Sequence, residues 1–128
     1  MLLEDVRDFR TSLADRGGVQ CVALDGSAIV GWCDIRRCPN EGSRHVAVVG
    51  IGILSGHRGF GLGPALPDRA VEAAADLGVS RVELEVFASN THALHVYMEG
   101  GVREEGIKRR ARILDGQTDD LVCMARFL

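Results

Sequence analysis

Residues 45–63 read HVAVVGIGILSGHRGFGLG, and this stretch decides the fold. Its first half, residues 45–54, is an almost unbroken apolar run, which is typical of a strand buried on both faces. Gly50 and Gly52 interrupt the run and indicate a bulge or a ligand that lies close to the backbone. The glycine-rich second half leads into residues 64–77, where apolar residues recur at helical spacing. The stretch therefore predicts a buried strand, a glycine loop and a helix in direct succession.

The glycine loop has the properties of an anion site. The first amide groups of a helix have no intrahelical acceptor, and the helix dipole favours negative charge there. Glycine at 59, 61 and 63 lets a ligand approach the backbone, and Arg58 adds a cation that can form charge-assisted hydrogen bonds. The loop is therefore predicted to hold a phosphate or pyrophosphate.

Other phosphate loops do not match the spacing. A dinucleotide fingerprint, G-x-G-x-x-G, would need glycine at Pro64 or Leu66. A P-loop would need a lysine and a hydroxyl residue after Gly63, and neither is present. A turn that merely reverses the chain remains the alternative interpretation.

The remaining sequence alternates helices and strands. Helical spacing predicts a first helix from Leu2 to Leu13, and β-branched residues predict strands at 19–24, 28–37 and 81–88. Asn90 or Thr91 can cap a helix that ends near Glu99. A closing hairpin is predicted from strands at 107–114 and 121–127. This order predicts an α/β fold, in which the right-handed crossover between residues 45 and 88 makes its two strands parallel.

Size and composition limit the classes of function. The 128 residues, 46% of them apolar, predict a single domain spanning residues 1–128. No signal peptide or apolar span is recognisable, so we expect a cytoplasmic protein without a membrane partner. The formal charge of −3 argues against nucleic acid as a partner. Cys33, Cys38 and His45 lack a second ligand pair at zinc spacing, so we expect reduced thiols and no metal.

The pattern Arg58-x-x-Gly61-x-Gly63 resembles the acetyl-CoA loop [Q/R]-x-x-G-x-[G/A] of the GNAT family of N-acetyltransferases. The resemblance continues from Ala28 to Leu128, about four-fifths of the chain by its order of elements. It implies a mixed, mostly antiparallel sheet with a central parallel strand pair, flanked by helices. The amino end looks shortened, because the family fold begins with a further strand and one more helix.

The same resemblance implies a set of site residues. Backbone groups of Ile51, Gly52 and Ile53 would bind the pantetheine arm of acetyl-CoA, and Asn90 would bind it from the other side. Tyr97 would protonate the departing CoA thiolate. The residues that would hold the pyrophosphate are Arg58, Gly59, Phe60, Gly61, Leu62 and Gly63. From the residues alone, Asn90 can equally be a helix cap and Tyr97 a core aromatic.

The activity implied is transfer of an acetyl group from acetyl-CoA to an amine of a small molecule or peptide by direct attack. A backbone amide near Ile53 would polarise the thioester carbonyl. Many relatives carry a glutamate on the strand before the loop, but the corresponding residue here, Val48 or Val49, is apolar. The remaining candidates for the base are His45, Glu83 and Glu85.

Two departures from the family pattern lead to further expectations. Pro67 falls where the helix hydrogen bonds should begin, which predicts a helix that starts late or kinks. The short amino end removes part of the acceptor wall, and an uncovered sheet edge favours pairing, so we expect a homodimer. A non-catalytic acyl-CoA-binding module and a binder of another phosphorylated ligand are the alternative functions.

Overall fold

The computed structural model describes residues 8–14, 18–53 and 62–128. The helices and strands follow one another in the predicted order, except at the amino end, where a strand replaces the predicted helix. The elements are β1 (Asp8–Ala14), β2 (Gly18–Asp25), β3 (Ala28–Arg37), β4 (Val46–Ile53), α1 (Leu62–Asp76), β5 (Arg81–Phe87), α2 (Thr91–Glu99), β6 (Arg103–Leu114) and β7 (Gln117–Phe127).

The described strands form one mixed sheet in the order β1-β2-β3-β4-β5-β7-β6. Only β4 and β5 are parallel among these neighbours, because α1 carries the chain from one to the other. All other neighbouring pairs are antiparallel. This arrangement confirms the predicted fold class, a mostly antiparallel sheet with a central parallel pair.

Both helices pack on the same face of the sheet. Ala70 and Ala74 of α1 are fully buried against side chains of β2, β3 and β4. Leu94 and Tyr97 of α2 pack against β5 and β7, and Val49 of β4 contacts both groups. The small alanines let α1 lie close to the strands, so the core lies between this face and the helices.

The opposite side of the sheet, which we call the open face, is not covered by any helix in the described part of the chain. Trp32 of β3 and Val48 of β4 point to this side and are 42% and 44% exposed. Val48 is in register with Glu83 of β5, which lies on the same side. The sheet therefore carries an accessible surface of mixed apolar and charged side chains.

The predicted helix from Leu2 to Leu13 is wrong for residues 8–14, which form strand β1; residues 2–7 lie outside the described part. β1 pairs antiparallel with β2, from Asp8 opposite Leu24 to Ala14 opposite Gly18. This short-range pairing gives the edge of β2 its backbone hydrogen-bond partners. That gain outweighs the preference for a helix that the spacing of the apolar residues indicates. β1 is therefore an edge strand of the sheet.

Two local predictions are also corrected. The register between β3 and β4 runs without a shift from Gly31 opposite Ile53 to Arg37 opposite Ala47, so β4 has no bulge against β3. The helix after the loop begins at Leu62 and includes Pro67, so it does not start late. Pro64 lies in the first turn, where its missing N–H is not required.

Candidate active site

The parallel strands separate halfway along their length and open a cleft. Their pairing runs only from Val46 opposite Arg81 to Val48 opposite Glu83. Beyond that rung, β4 stays paired with β3 as far as Ile53, and β5 stays paired with β7 as far as Phe87. Because each strand keeps its outer partner, the gap lies between two rigid walls.

The distal half of β4 presents an unpaired edge to this cleft. From Val49 to Ile53, no strand of the described chain pairs with the side of β4 that faces β5. Backbone amides and carbonyls on that side require partners. An extended, amide-containing ligand can supply them by adding as a strand. Ile51, Gly52 and Ile53, predicted to bind the pantetheine arm, all lie on this edge.

The two glycines of β4 differ in what surrounds them. A Cβ on Gly52 would overlap the indole of Trp32, whose Cε2 atom would be only 2.6 Å away. At Gly50, nothing lies within 4 Å of the same position. Gly52 is therefore required by the tryptophan that lies across it, whereas Gly50 leaves open space on the wall of the cleft.

The predicted pyrophosphate residues are only partly described. Leu62 and Gly63 are the first two residues of α1, so their backbone amides lie at the helix N-terminus. Because α1 follows β4 along the chain, this N-terminus comes after the end of β4 that borders the cleft. Arg58, Gly59, Phe60 and Gly61 lie outside the described residues.

Asn90 caps α2. Its side-chain Oδ1 accepts a hydrogen bond from the backbone N–H of Ala93 at 3.2 Å, and its own N–H donates to Phe87 O at 2.9 Å. The alternative interpretation from the sequence, a helix cap, is thus what the structure shows for this oxygen. Asn90 nevertheless follows directly after β5, at the end where the cleft opens.

Tyr97 lies on α2 and is half-buried against a cluster that includes Leu84 and Val49. Burial raises the pKa of the phenol, and the nearby Cys33 thiol raises it further. Cys33 is the register partner of Ile51, so the phenol lies near the part of β4 that borders the cleft. Tyr97 is therefore a protonated donor at neutral pH beside the predicted ligand edge.

The three candidate bases occupy different positions. The carbonyl of His45 accepts hydrogen bonds from the N–H groups of Ser80 and Arg81, which places this residue at the closed end of the β4–β5 pair. Glu83 lies on the last paired rung and binds Arg81 at 2.9 Å. Glu85 is the next residue of β5 whose side chain lies on the open face, and it comes after the last residue of β5 that pairs with β4. Of the three, only Glu85 lies in the opened part of β5.

Glu85 forms an ion pair with an exposed lysine of β6. Lys108 Nζ lies 3.1 Å from Glu85 Oε1, and the glutamate raises the pKa of this ammonium. Exposed ion pairs of this kind contribute little to stability. A cationic ligand can therefore replace Lys108 at Glu85 with small loss.

The described residues form neither a metal site nor a membrane-spanning helix. There, no three His, Cys, Asp or Glu side chains group together as a metal site. No helix of the described chain is long and apolar enough to cross a bilayer.

A mixed sheet that separates at its parallel pair, with a tyrosine on the helix beside the gap, is the arrangement that the resemblance to the GNAT family implies. The family model described as acetyltransferase (GNAT) family matches residues 2–101. L-amino acid N-acetyltransferase AaaT of Escherichia coli strain K12 is 35% identical over 122 residues, which cover 92% of this chain and 74% of that protein.

Solved structures show the same fold. The GNAT-family acetyltransferase of Streptococcus pneumoniae superposes with a TM-score of 0.82 at 26% sequence identity. The match covers 87% of this chain and 67% of the S. pneumoniae chain. A phosphinothricin acetyltransferase of Sinorhizobium meliloti, solved in complex with acetyl-CoA, has a TM-score of 0.80 at 23% sequence identity. The match covers 88% of this chain and 62% of the S. meliloti chain. The chain belongs to the GNAT family, and the predicted class, an acetyl-CoA-dependent N-acetyltransferase, is confirmed at the level of that family.

Proposed function

We propose that this chain transfers the acetyl group of acetyl-CoA to the primary amine of a small molecule, with a peptide amine as the second candidate acceptor. The observation that carries the proposal is the unpaired edge of β4 from Val49 to Ile53, which lies beside the protonated phenol of Tyr97. The relative from E. coli, named for acetylation of L-amino acids, supports a small acceptor.

The residues present fit the co-substrate. The amides and carbonyls of Ile51, Gly52 and Ile53 form an edge that matches the amide groups of a pantetheine arm. The helix N-terminus at Leu62 and Gly63, together with the preceding loop, suits a pyrophosphate. The loop residues proposed to contribute are Arg58, Gly59, Phe60 and Gly61. The Asn90 amide would bind the pantetheine across the cleft while its oxygen caps α2.

Acetyl-CoA supplies an activated thioester, so the protein has to position two partners and move protons. Glu85 would accept a proton from the bound ammonium, which leaves an amine able to attack the thioester carbonyl. A backbone amide near Ile53 would stabilise the developing oxyanion. As the carbon–sulfur bond breaks, the Tyr97 hydroxyl would donate its proton to the departing thiolate. The nitrogen of the new amide would release its second proton to solvent, and Tyr97 would regain a proton from solvent.

The test is thiol release from acetyl-CoA over a library of amines, comparing the unaltered protein with Tyr97→Phe and Glu85→Gln. We expect turnover of some amines and a reduced kcat for Tyr97→Phe. For Glu85→Gln we expect a loss of rate at neutral pH, where the amine is protonated, that is recovered as the pH rises. A protein that binds CoA by calorimetry but releases no thiol with any amine would instead be the non-catalytic binding module. Stronger binding of ATP or NAD than of CoA would contradict the proposal altogether.

We also propose that residues 1–128 act as one domain in a cytoplasmic homodimer that binds neither nucleic acid nor membrane. Cys33 is fully buried in the core of the sheet as a thiol, which suits a reducing compartment. The edge strand β1 supports self-association. Light scattering after size-exclusion chromatography tests the dimer, and a monomeric mass at assay concentration would contradict it.

A further inference from the structure

The two walls of the cleft carry different side chains on the open face. If the register of Val48 opposite Glu83 continued, Gly50 would stand opposite Glu85 and Gly52 opposite Phe87. The β4 wall therefore offers space at Gly50, followed by the indole that covers Gly52. The β5 wall offers a carboxylate, followed by an aromatic ring. On the open face, a ligand therefore finds the Glu85 carboxylate near the point where the strands separate. The aromatic rings of Trp32 and Phe87 lie farther toward the open end of the cleft.

Both aromatic side chains are held in place. Trp32 keeps 42% of its surface exposed while its ring lies across Gly52. On the other wall, the Arg112 guanidinium lies 3.7 Å from the centroid of the Phe87 ring. Arg112 is itself fixed by an ion pair with Asp119 at 2.9 Å. Rigid aromatic surface at a cleft is typical of binding sites for apolar groups.

The charges of this face favour one cation and disfavour a second. Glu83 is already engaged by Arg81, which also binds Glu105 at 2.9 Å. Glu85 is the acid that a ligand can reach by displacing only the exposed Lys108. Beyond it, Asp119 compensates the charge of Arg112, but Lys108 loses its ion pair when a ligand binds Glu85. A second positive charge on the acceptor would therefore meet a like charge.

We propose, on the basis of the function proposed above, that the acceptor is a monoamine bearing an aromatic or branched aliphatic group. Its ammonium binds Glu85, and its apolar group packs against Trp32 on the side of the cleft that faces Phe87. Trp32 is then a specificity-determining residue of the acceptor site. Diamines and polyamines are poor acceptors, since they expose a second ammonium where this site is apolar or cationic.

The kinetic test measures kcat and KM for phenethylamine, isoamylamine and putrescine at saturating acetyl-CoA. We expect Trp32→Ala to raise KM for the two apolar amines by about tenfold or more, with KM for acetyl-CoA and for putrescine little changed. Trp32→Phe, which keeps an aromatic surface, should restore most of the loss. Phe127→Ala is the control, because it also removes an aromatic side chain, which is 73% exposed. Phe127 is the register partner of Arg81, at the end of β5 where β4 and β5 are still paired, so it lies far from the cleft. All three KM values should stay unchanged.

A binding test does not depend on turnover, because Trp32 is the only tryptophan of the chain. In the CoA complex, phenethylamine should change the tryptophan emission saturably, and putrescine should not. An equal KM increase for all three amines in Trp32→Ala, or no change in emission with an amine that is turned over, would overturn the inference and leave acetyl transfer intact. Failure to release thiol with any amine would instead overturn the proposed function itself.

Discussion

The indole of Trp32 lies directly across Gly52, its register partner on β4, and leaves no room for a side chain there. Gly52 also belongs to the edge that is proposed to pair with the pantetheine arm. One cross-strand contact thus joins the acceptor wall on the open face to the co-substrate edge. Changes at Gly52 should therefore affect both through the indole, which a side chain at Gly50 would not contact.

Gly52→Ala should displace the indole, because the new methyl group would overlap the ring. We expect a loss of about 1–3 kcal/mol in the free energy of unfolding, as for other overpacked sites. Tryptophan emission should also move to longer wavelength. Gly50→Ala is the matched control, since nothing lies within 4 Å of its Cβ position, and should leave emission and stability unchanged. Equal effects of the two alanines would show that Trp32 does not rest on Gly52.

Tyr97→Phe removes only the hydroxyl and keeps the ring that packs against Leu84. We expect kcat to fall by about 10²-fold or more, as for loss of a general acid, with KM for acetyl-CoA nearly unchanged. Full retention of kcat would exclude a role in protonating the thiolate.

The pH profile follows from the same phenol. Its pKa is raised, first by burial and then by the Cys33 thiol, so the proton is retained at and above the pH where an exposed tyrosine would lose it. The rate of the unaltered enzyme should therefore show no alkaline decline due to Tyr97 below about pH 10. A decline near pH 8 that disappears in Tyr97→Phe would contradict this assignment.

The cysteines should divide into two classes in a thiol-labelling experiment. Cys21 and Cys33 are fully buried, and burial, followed by the neighbouring Cys21 and Asp34, raises the pKa of Cys33 to about 12. A neutral buried thiol reacts slowly with aromatic disulfide reagents. Cys38 and Cys123 are partly exposed and should label rapidly in the native protein. All four should label in denaturant, and rapid native labelling of Cys33 would contradict the burial described here.

Asp119 should make stability depend on acid pH. Hydrogen bonds from Ser89 and the pairing with Arg112 lower the pKa of this carboxyl group. Its contribution is therefore present above the pKa of the unfolded state, about 3.9, and is lost as pH falls through the lower folded value. Asp119→Asn should unfold more easily near pH 7, and the difference from the unaltered protein should shrink below about pH 4. A difference in unfolding free energy that stays constant from pH 7 to pH 2 would contradict this assignment.

How far the sequence predicts the fold is clearest from its strands. β3 was predicted at residues 28–37 and has those bounds, because β-branched residues and the Asp25-Gly26 turn mark both the strand and its hairpin. The error at β1 arises because Leu2, Val6, Phe9 and Leu13 are also spaced as on a helix. Pairing with β2 supplies backbone hydrogen bonds across a short connection, and the spacing of apolar side chains does not report that gain.

The site was less predictable than the fold. The glycines of β4 predict a bulge or a ligand close to the backbone, but Gly52 is needed by Trp32, which no sequence pattern singled out. The contact depends on which strands are neighbours and on their register, and these are properties of the whole sheet. The presence of one tryptophan on a strand paired with glycines is the only signal that could have indicated it.

The central claim is that β4 receives the pantetheine arm as an added strand where its pairing with β5 ends. Amide hydrogen exchange measured by NMR, with and without CoA, tests it most directly. We predict that CoA slows exchange at the cleft-facing amides between Val49 and Ile53 and at Leu62 and Gly63, with no change at Val46–Val48, which β5 already pairs. Saturating CoA that leaves the amides of residues 49–53 unprotected, or protects only residues elsewhere on the sheet, would contradict the account.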